Sequence, residues 1–296
     1  MRIRIRSILS LLLLPLILSF SACSQNPLRS RIEKIIAGKK LTLGFAVENL
    51  QTGQKVTING EKRFPMQSVY KLPIAVVLLK EVEGGRFGLD DTIKITPADY
   101  QPDTWSPLAE RYPEGVAMTL SEVITYMVAF SDNNATDLLL DKIGGPKRVQ
   151  DTIDSLEIRD IRIQNTEKEL HASPALQYAN YATPDAMIRF LKLFADGKLL
   201  KGEELSFLWK VMADCATGSV SRKIPGDITV AHKTGSSGTD ADGITAAVND
   251  VGLIRLDNGD LIAFAIFITE SAEPADDNYD IIAEIGAAVY RFFTNQ

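Results

Sequence analysis

The sequence predicts an α/β chain of the α+β sandwich kind, with one antiparallel sheet closed by both ends of the chain and a helical lobe inserted between them. Three observations lead there. Apolar residues alternate near the start, the middle of the chain carries helical spacing, and strand patterns return after residue 227 before a last helical stretch. The economical packing of that order places a cleft where the helical lobe meets the sheet.

The elements follow in order. Residues 1–22, MRIRIRSILSLLLLPLILSFSA, join a cationic start (Arg2, Arg4, Arg6) to an apolar run broken by Pro15 and then to small residues. This reads as an export signal, too short and wrongly flanked for a permanent membrane span. The following FSAC resembles a bacterial lipoprotein box with Cys23 as the acylated first residue, although Phe20 departs from the usual aliphatic residue. Ordinary cleavage after Ser21 is the alternative. Either way the mature chain is expected to be exported to the periplasm, with membrane attachment if Cys23 is lipidated.

Next, LTLGFAVENLQTGQKVTING reads as two strands around a turn at Gln51–Gln54, with Leu43, Phe45 and Val47 on one face. Helices are expected at 68–82, 120–130, 133–142, 147–155, 184–195 and 203–213. Thr119 and Glu122 have capping-box spacing, and Thr183-Pro184 has the form of an N-cap followed by proline at the first helical position. Pro73 removes a donor just inside the helix that begins at Ser68, which predicts a distorted first turn. After residue 227, DITVAHKTG, GITAAVNDVGLIRL and DLIAFAIFI read as strands, the last two joined by the turn DNGD. A closing helix over 278–294 carries Ile281, Ile282, Ile285, Ala288, Val289 and Phe292 on one face.

Composition narrows the function. Removing residues 1–22 takes away three arginines and no acid, so the net charge of −6 becomes −9. An acidic chain without a basic cluster argues against nucleic-acid binding. With two cysteines and two histidines in the whole chain, a zinc site is not expected. If Cys23 is acylated, Cys215 has no disulfide partner and reads as a buried thiol.

The chemistry-bearing stretch is FPMQSVYKLPIAVVLLKEVEGG. Ser68 and Lys71 stand three apart, on one helix face, so a hydroxyl can meet an amine there. Three further motifs follow: Ser131-Asp132-Asn133 before a helical run, Glu167 in the long polar connection QNTEKELHASPALQYANYATP, and Lys233-Thr234-Gly235 at a strand end. Each is weak alone. A serine before a lysine is commonplace, Ser131–Asn133 could be a helix cap, and Glu167 is one of 38 acids.

Together, in this order, the motifs resemble those of class A serine β-lactamases, across the whole mature chain. Trp105-Ser106-Pro107 and Asn249-Asp250 extend the match. The resemblance implies a five-stranded antiparallel sheet with helices on both faces, joined to an all-helical lobe. The expected division is a signal peptide at 1–22, a sheet domain from 23–62 and 215–296, and an all-helical domain at 63–214. It further implies a monomer that acts on small β-lactams of the penicillin and cephalosporin type without a cofactor or metal. Ser68 is then the nucleophile, Lys71 or Glu167 its proton acceptor, and Ser131 a proton relay to the leaving nitrogen. Lys233, Thr234 and Gly235 belong to the substrate-carboxylate end, with Asn133 and Trp105 on the substrate's side-chain amide. Backbone N–H groups of Ser68 and Ser236 form the oxyanion hole.

Several positions depart from the family pattern. Asn165 and Asn180 stand where an arginine–aspartate pair commonly pins the loop that carries the glutamate. Asp137 replaces the asparagine that supports Glu167 and is expected to face it with like charge. His171 stands where an asparagine helps hold the hydrolytic water, or else is a surface residue. Gln67 precedes the nucleophile, so the cleft-bridging disulfide of some members is absent. Arg222 is the candidate for the second carboxylate-binding cation beside Lys233. Two other readings stay open: a penicillin-binding DD-peptidase, which generally lacks a loop glutamate, and a lipoprotein using the same fold for binding.

Overall fold

The computed structural model describes residues 26–295; the signal-peptide and Cys23 expectations lie outside the described residues. The elements run α1 (Pro27–Ile35), β1 (Thr42–Asn49), β2 (Lys55–Ile58), β3 (Phe64–Pro65), α2 (Lys71–Glu83), β4 (Thr92–Ile95), α3 (Pro107–Arg111) and β5 (Val116–Thr119). Then come α4 (Leu120–Val128), α5 (Asn133–Ile143), α6 (Gly145–Ser155), β6 (Ile161–Arg162), α7 (Glu167–His171), β7 (Tyr181–Ala182), α8 (Pro184–Ala195) and α9 (Gly202–Ala213). The chain closes with β8 (Thr229–Ser236), β9 (Val248–Arg255), β10 (Leu261–Thr269) and α10 (Ala275–Thr294).

Both ends of the chain meet in one five-stranded antiparallel sheet of order β2-β1-β10-β9-β8. The register places Phe45 opposite Ile266 and Thr234 opposite Asp250. Strand side chains alternate between two apolar layers. Phe45, Val47, Phe264 and Ile266 pack under α1 and α10 against Leu28, Ile32, Ile281 and Ile285. On the other face Phe267 stacks on Phe64, centroids 5.9 Å apart, and joins the core of the helical lobe. At the centre of that lobe lies α2, buried without interruption from Lys71 to Leu79.

Local chemistry sets the ends of these elements. Asp132 caps α5 by accepting the Ala135 N–H, and Gly144 ends the helix at φ 95° in the left-handed region open to glycine. The capping box at Thr119 and Glu122 is present. Pro73 has the foreseen effect: residues Gln67–Tyr70 form a 3-10 turn, and the Lys71 N–H serves the Ser68 and Val69 carbonyls.

The middle of the chain is less uniformly helical than expected. A strand pair β4–β5 and a small sheet β3-β7-β6 lie within it. These strands are two to four residues long, too short for alternation to reveal them. The expected strand over 243–256 starts only at Val248, because Thr245 instead exchanges backbone hydrogen bonds with Ser271. The last helix begins at Ala275, three residues early, and α1 was not foreseen.

Candidate active site

The strand end, the 3-10 turn before α2, the turn before α5 and the loop carrying α7 converge on a cleft of about 450 Å³. Gly235 explains how closely they meet. A Cβ there would lie 2.4 Å from the Met66 carbonyl and 3.0 Å from the Ser68 nitrogen, so only glycine lets β8 run alongside the turn. Asn249 ties the same turn to β9, donating from Nδ2 to the Pro65 and Met66 carbonyls at 2.8 and 3.0 Å. Gln67 (φ 44°) and Ser131 (φ 60°), which both line the cleft, sit in the left-handed region.

Lys71 is the hub. Fully buried, it donates from Nζ to Ser68 Oγ at 2.9 Å, to the Ser131 carbonyl at 2.8 Å and to Asn133 Oδ1. Those three bonds use all the N–H groups an ammonium has. Glu167 Oε1 lies 3.1 Å from the same nitrogen yet receives no directed hydrogen bond. The contact is therefore a close ion pair that is not locked by donor geometry.

Ser131 Oγ accepts a hydrogen bond from Lys233 Nζ at 2.9 Å, which also donates to the Thr234 carbonyl. Burial brings the Lys233 amine down to about 7. Thr234 and Thr217 share a short hydroxyl–hydroxyl hydrogen bond at the cleft wall. Ser236 lines the wall beside them. The Asn133 amide is held at both ends, its Nδ2 donating to Thr104 Oγ1 at 2.8 Å. Asp132 is an anchor, its buried carboxylate accepting from Ser106 Oγ, Leu108 N and Ala135 N. Trp105 stands at the mouth, 55% exposed, with its indole N–H on the Phe130 carbonyl.

The expectation for Arg222 is corrected here. Asp137 feels the like charge of Glu167 as expected, but its main partners were not foreseen. It caps the first turn of α7, accepting the N–H groups of Glu167 and Lys168 at 2.8 and 2.9 Å, and takes a third bond from Gln101. Burial raises its carboxyl pKa, and the charge of Glu167 adds only a smaller push. Arg222 is not among the residues lining the cleft. Its exposed guanidinium lies over the Tyr279 ring, 5.5 Å from the centroid, because the 3-10 turn Val220–Lys223 packs on α10.

His171 lines the cleft and bonds through Nδ1 to the Glu167 carbonyl at 2.7 Å, one helical turn back. The α7 helix was read as loop, although Thr166 and Glu169 form a capping box that the sequence spells out. Thr217, Ser219 and the buried His232–Asp250 pair were missed. The signal was the glycine in Thr217-Gly218-Ser219: a Cβ at Gly218 would lie 1.8 Å from the His232 ring. Cys215 is a free, partly buried thiol. Among the described residues no group of three or more potential metal ligands occurs, and no helix is long and apolar enough to cross a membrane.

Sheet order, inserted helical lobe and cleft define a class, the class A β-lactamase fold. A β-lactamase from Chitinophaga pinensis superposes with a TM-score of 0.88 at 36% identity, over 90% of this chain and all of that one. The crystal structure of TLA-3 extended-spectrum β-lactamase gives a TM-score of 0.87 at 38% identity, over 90% of this chain and 98% of that one. The chain belongs to the β-lactamase enzyme family, whose sequence model matches residues 27–293. Among curated relatives, β-lactamase VEB-1 of Pseudomonas aeruginosa is 38% identical over 300 residues, covering both chains in full. A β-lactamase of Bacteroides uniformis is 37% identical over 91% of this chain and 92% of that one. The protein is a hydrolase that opens β-lactams, which decides against the peptidase and the binding-only readings.

Proposed function

We propose that the hydrolysis runs through an acyl-serine on Ser68, with Lys71 and Glu167 sharing the proton traffic. The observation that carries this reading is Lys71 Nζ standing between Ser68 Oγ at 2.9 Å and Glu167 Oε1 at 3.1 Å. As a three-bonded ammonium, Lys71 cannot accept the serine proton. Passing one proton to Glu167 leaves a neutral amine whose lone pair can take it. Ser68 Oγ then attacks the lactam carbonyl, and Ser131, bonded to Lys233, returns a proton to the ring nitrogen as the C–N bond breaks. Lys71 refills Ser131 and takes back the proton held by Glu167. Glu167, ionised again, then draws a proton from water as it attacks the ester. That proton passes through Lys71 to Ser68 Oγ as the ester C–O bond breaks.

The backbone N–H groups of Ser68 and Ser236 hold the developing oxyanion, each worth about 3–4 kcal/mol. Lys233, Thr234 and Thr217 receive the substrate carboxylate. The Asn133 amide exchanges its Thr104 partner for the substrate's side-chain amide, over which Trp105 packs. The substrates on this reading are penicillins and cephalosporins. Export and acylation of Cys23 belong to the same reading, as does a monomeric enzyme. Protein lacking residues 1–22 should hydrolyse nitrocefin, and Ser68→Ala should abolish turnover; a Ser68→Ala protein with parental turnover would sink the proposal. Mass spectrometry of the mature N-terminus tests the lipid.

A further inference from the structure

Tyr70 ends the 3-10 turn that joins Ser68 to Lys71. Its ring is shut wholly from water in the core of the helical lobe. The hydroxyl lies within reach of the Glu167 carboxylate, yet no aligned hydrogen bond satisfies it. Glu167 Oε1 is likewise buried and without a hydrogen-bond partner. A donor and an acceptor left open in a dry interior each bear the cost of lost hydration, and a bond between them removes both costs. Its direction is fixed, because an ionised carboxylate can only accept. Burial first, and then the charge of Glu167, push the Tyr70 hydroxyl well above the usual tyrosine pKa, so the phenol keeps its proton.

We propose that Tyr70 is a positioning residue for Glu167: its hydroxyl donates to the carboxylate, holding it ionised and aimed at the water that attacks the ester. The inference rests on the proposed reading of Glu167 as the base that releases the acyl-enzyme. The neighbouring charged groups do not supply that bond. Lys71 Nζ is 3.1 Å away but spends its hydrogens on Ser68, Ser131 and Asn133. From α5, Asp137 is an acceptor, and it takes the Glu167 N–H. On α7 itself, Glu169 accepts the Thr166 N–H, His171 meets the Glu167 carbonyl, and Lys168 is exposed. Of these groups and Tyr70, only the phenol is an unspent donor beside the carboxylate. A hydrogen bond to a carboxylate favours the ionised form, the one that draws a proton from water. Without the phenol that form should fail at a higher pH.

The test uses protein lacking residues 1–22, acylated by a slow cephalosporin and then moved to a range of pH. Loss of the adduct is followed by intact-protein mass. Tyr70→Phe keeps the ring and removes the hydroxyl alone. Its acid limb of deacylation should lie about one pH unit above the parent's, the scale of one hydrogen bond to a charged group. In Glu167→Ala, whose residual ester hydrolysis has no such base, adding Tyr70→Phe should leave the lifetime of the adduct unchanged. A purely structural role for the hydroxyl would alter both backgrounds alike. If Tyr70→Phe folds poorly, uniform 3-fluorotyrosine in the parent sequence makes every phenol a stronger donor and should move the limb to lower pH. An unmoved acid limb, or a lifetime that changes in the Glu167→Ala background, overturns the Tyr70 role and leaves the reaction reading intact. Parental turnover in Glu167→Ala overturns the base assignment and the Tyr70 role with it.

Discussion

Behind the strand that carries Lys233, the Asp250 carboxylate meets the His232 imidazole at 2.7 Å in a pair almost wholly shut from water. Asp250 uses its other oxygen on the Ser219 and Val220 N–H groups, so one carboxylate joins β8, β9 and the turn beside the cleft. Burial alone would depress the imidazole pKa, but the charge and hydrogen bond of Asp250 prevail and raise it to about 9.

A folded-state pKa above the usual 6.5 makes the charged pair a stability device with a definite pH window. Its contribution is complete below about 6.5 and fades as pH rises through 9. Thermal unfolding of the parent and His232→Ala should differ by about 3 kcal/mol at pH 6, the scale of a broken buried pair, with the gap closing toward pH 10. A gap that widens with pH would mean the imidazole is neutral in the folded protein.

The pKa of Lys233 is moved in the opposite direction. On the proposed reading its amine, brought down to about 7 by burial, offers charge to the substrate carboxylate only on the acid side. The free-enzyme profile of kcat/KM should therefore fall above about pH 7. Lys233→Arg keeps its charge throughout the accessible range and should flatten that alkaline limb, whatever its absolute rate. An alkaline limb unchanged in the arginine variant would assign it to another group.

Asn180 is buried and clasps the loop ahead of α7 at three points. Its Oδ1 accepts the N–H groups of Gln164 and Asn165, and its Nδ2 donates to the Asn165 carbonyl at 2.9 Å. Asn180→Asp replaces that donor with a carboxylate oxygen facing a carbonyl. The variant should lose about 2 kcal/mol or more, seen as a lower melting temperature. A higher one would contradict the clasp.

Glu167→Ala separates acylation from release. Without Glu167, Lys71 must lose its proton to solvent before it can take that of Ser68, so a slow cephalosporin should acylate the serine more slowly but still measurably. The ester should then persist, visible as an intact-protein mass adduct, while turnover falls by about 10²–10⁴-fold or more. Parental turnover in Glu167→Ala would shift the role of base to another carboxylate, with Glu169 the next residue to test.

The reach of the sequence can be followed residue by residue. Ser68 and Lys71 were paired by helical spacing, and the bond between them forms although their turn is 3-10 and not α, since either coil puts i and i+3 on one side. Glu167 was legible only through its motif context, because nothing local says that a loop acid will lie 3.1 Å from a lysine ninety-six residues earlier. Asp137 was read incompletely: the like charge of Glu167 does push its carboxyl up, but the backbone N–H groups of α7 that it accepts were not foreseen. Arg222 was misjudged, since a correct guess about charge says nothing of which way a turn faces.

By itself the sequence determined the order of the five main-sheet strands and of the longer helices after α1, the starts of α4, α5 and α8 through their caps, and the residue types that acyl transfer needs. Those are decided by periodicity and by contacts within a few residues. The tertiary structure alone decided that β8 passes close enough to the Ser68 turn to need Gly235, that His232 is buried on Asp250, and that the cleft continues to Tyr279 on α10. Each of these joins segments far apart along the chain, and no local pattern encodes the distance between side chains that only the packed core brings together.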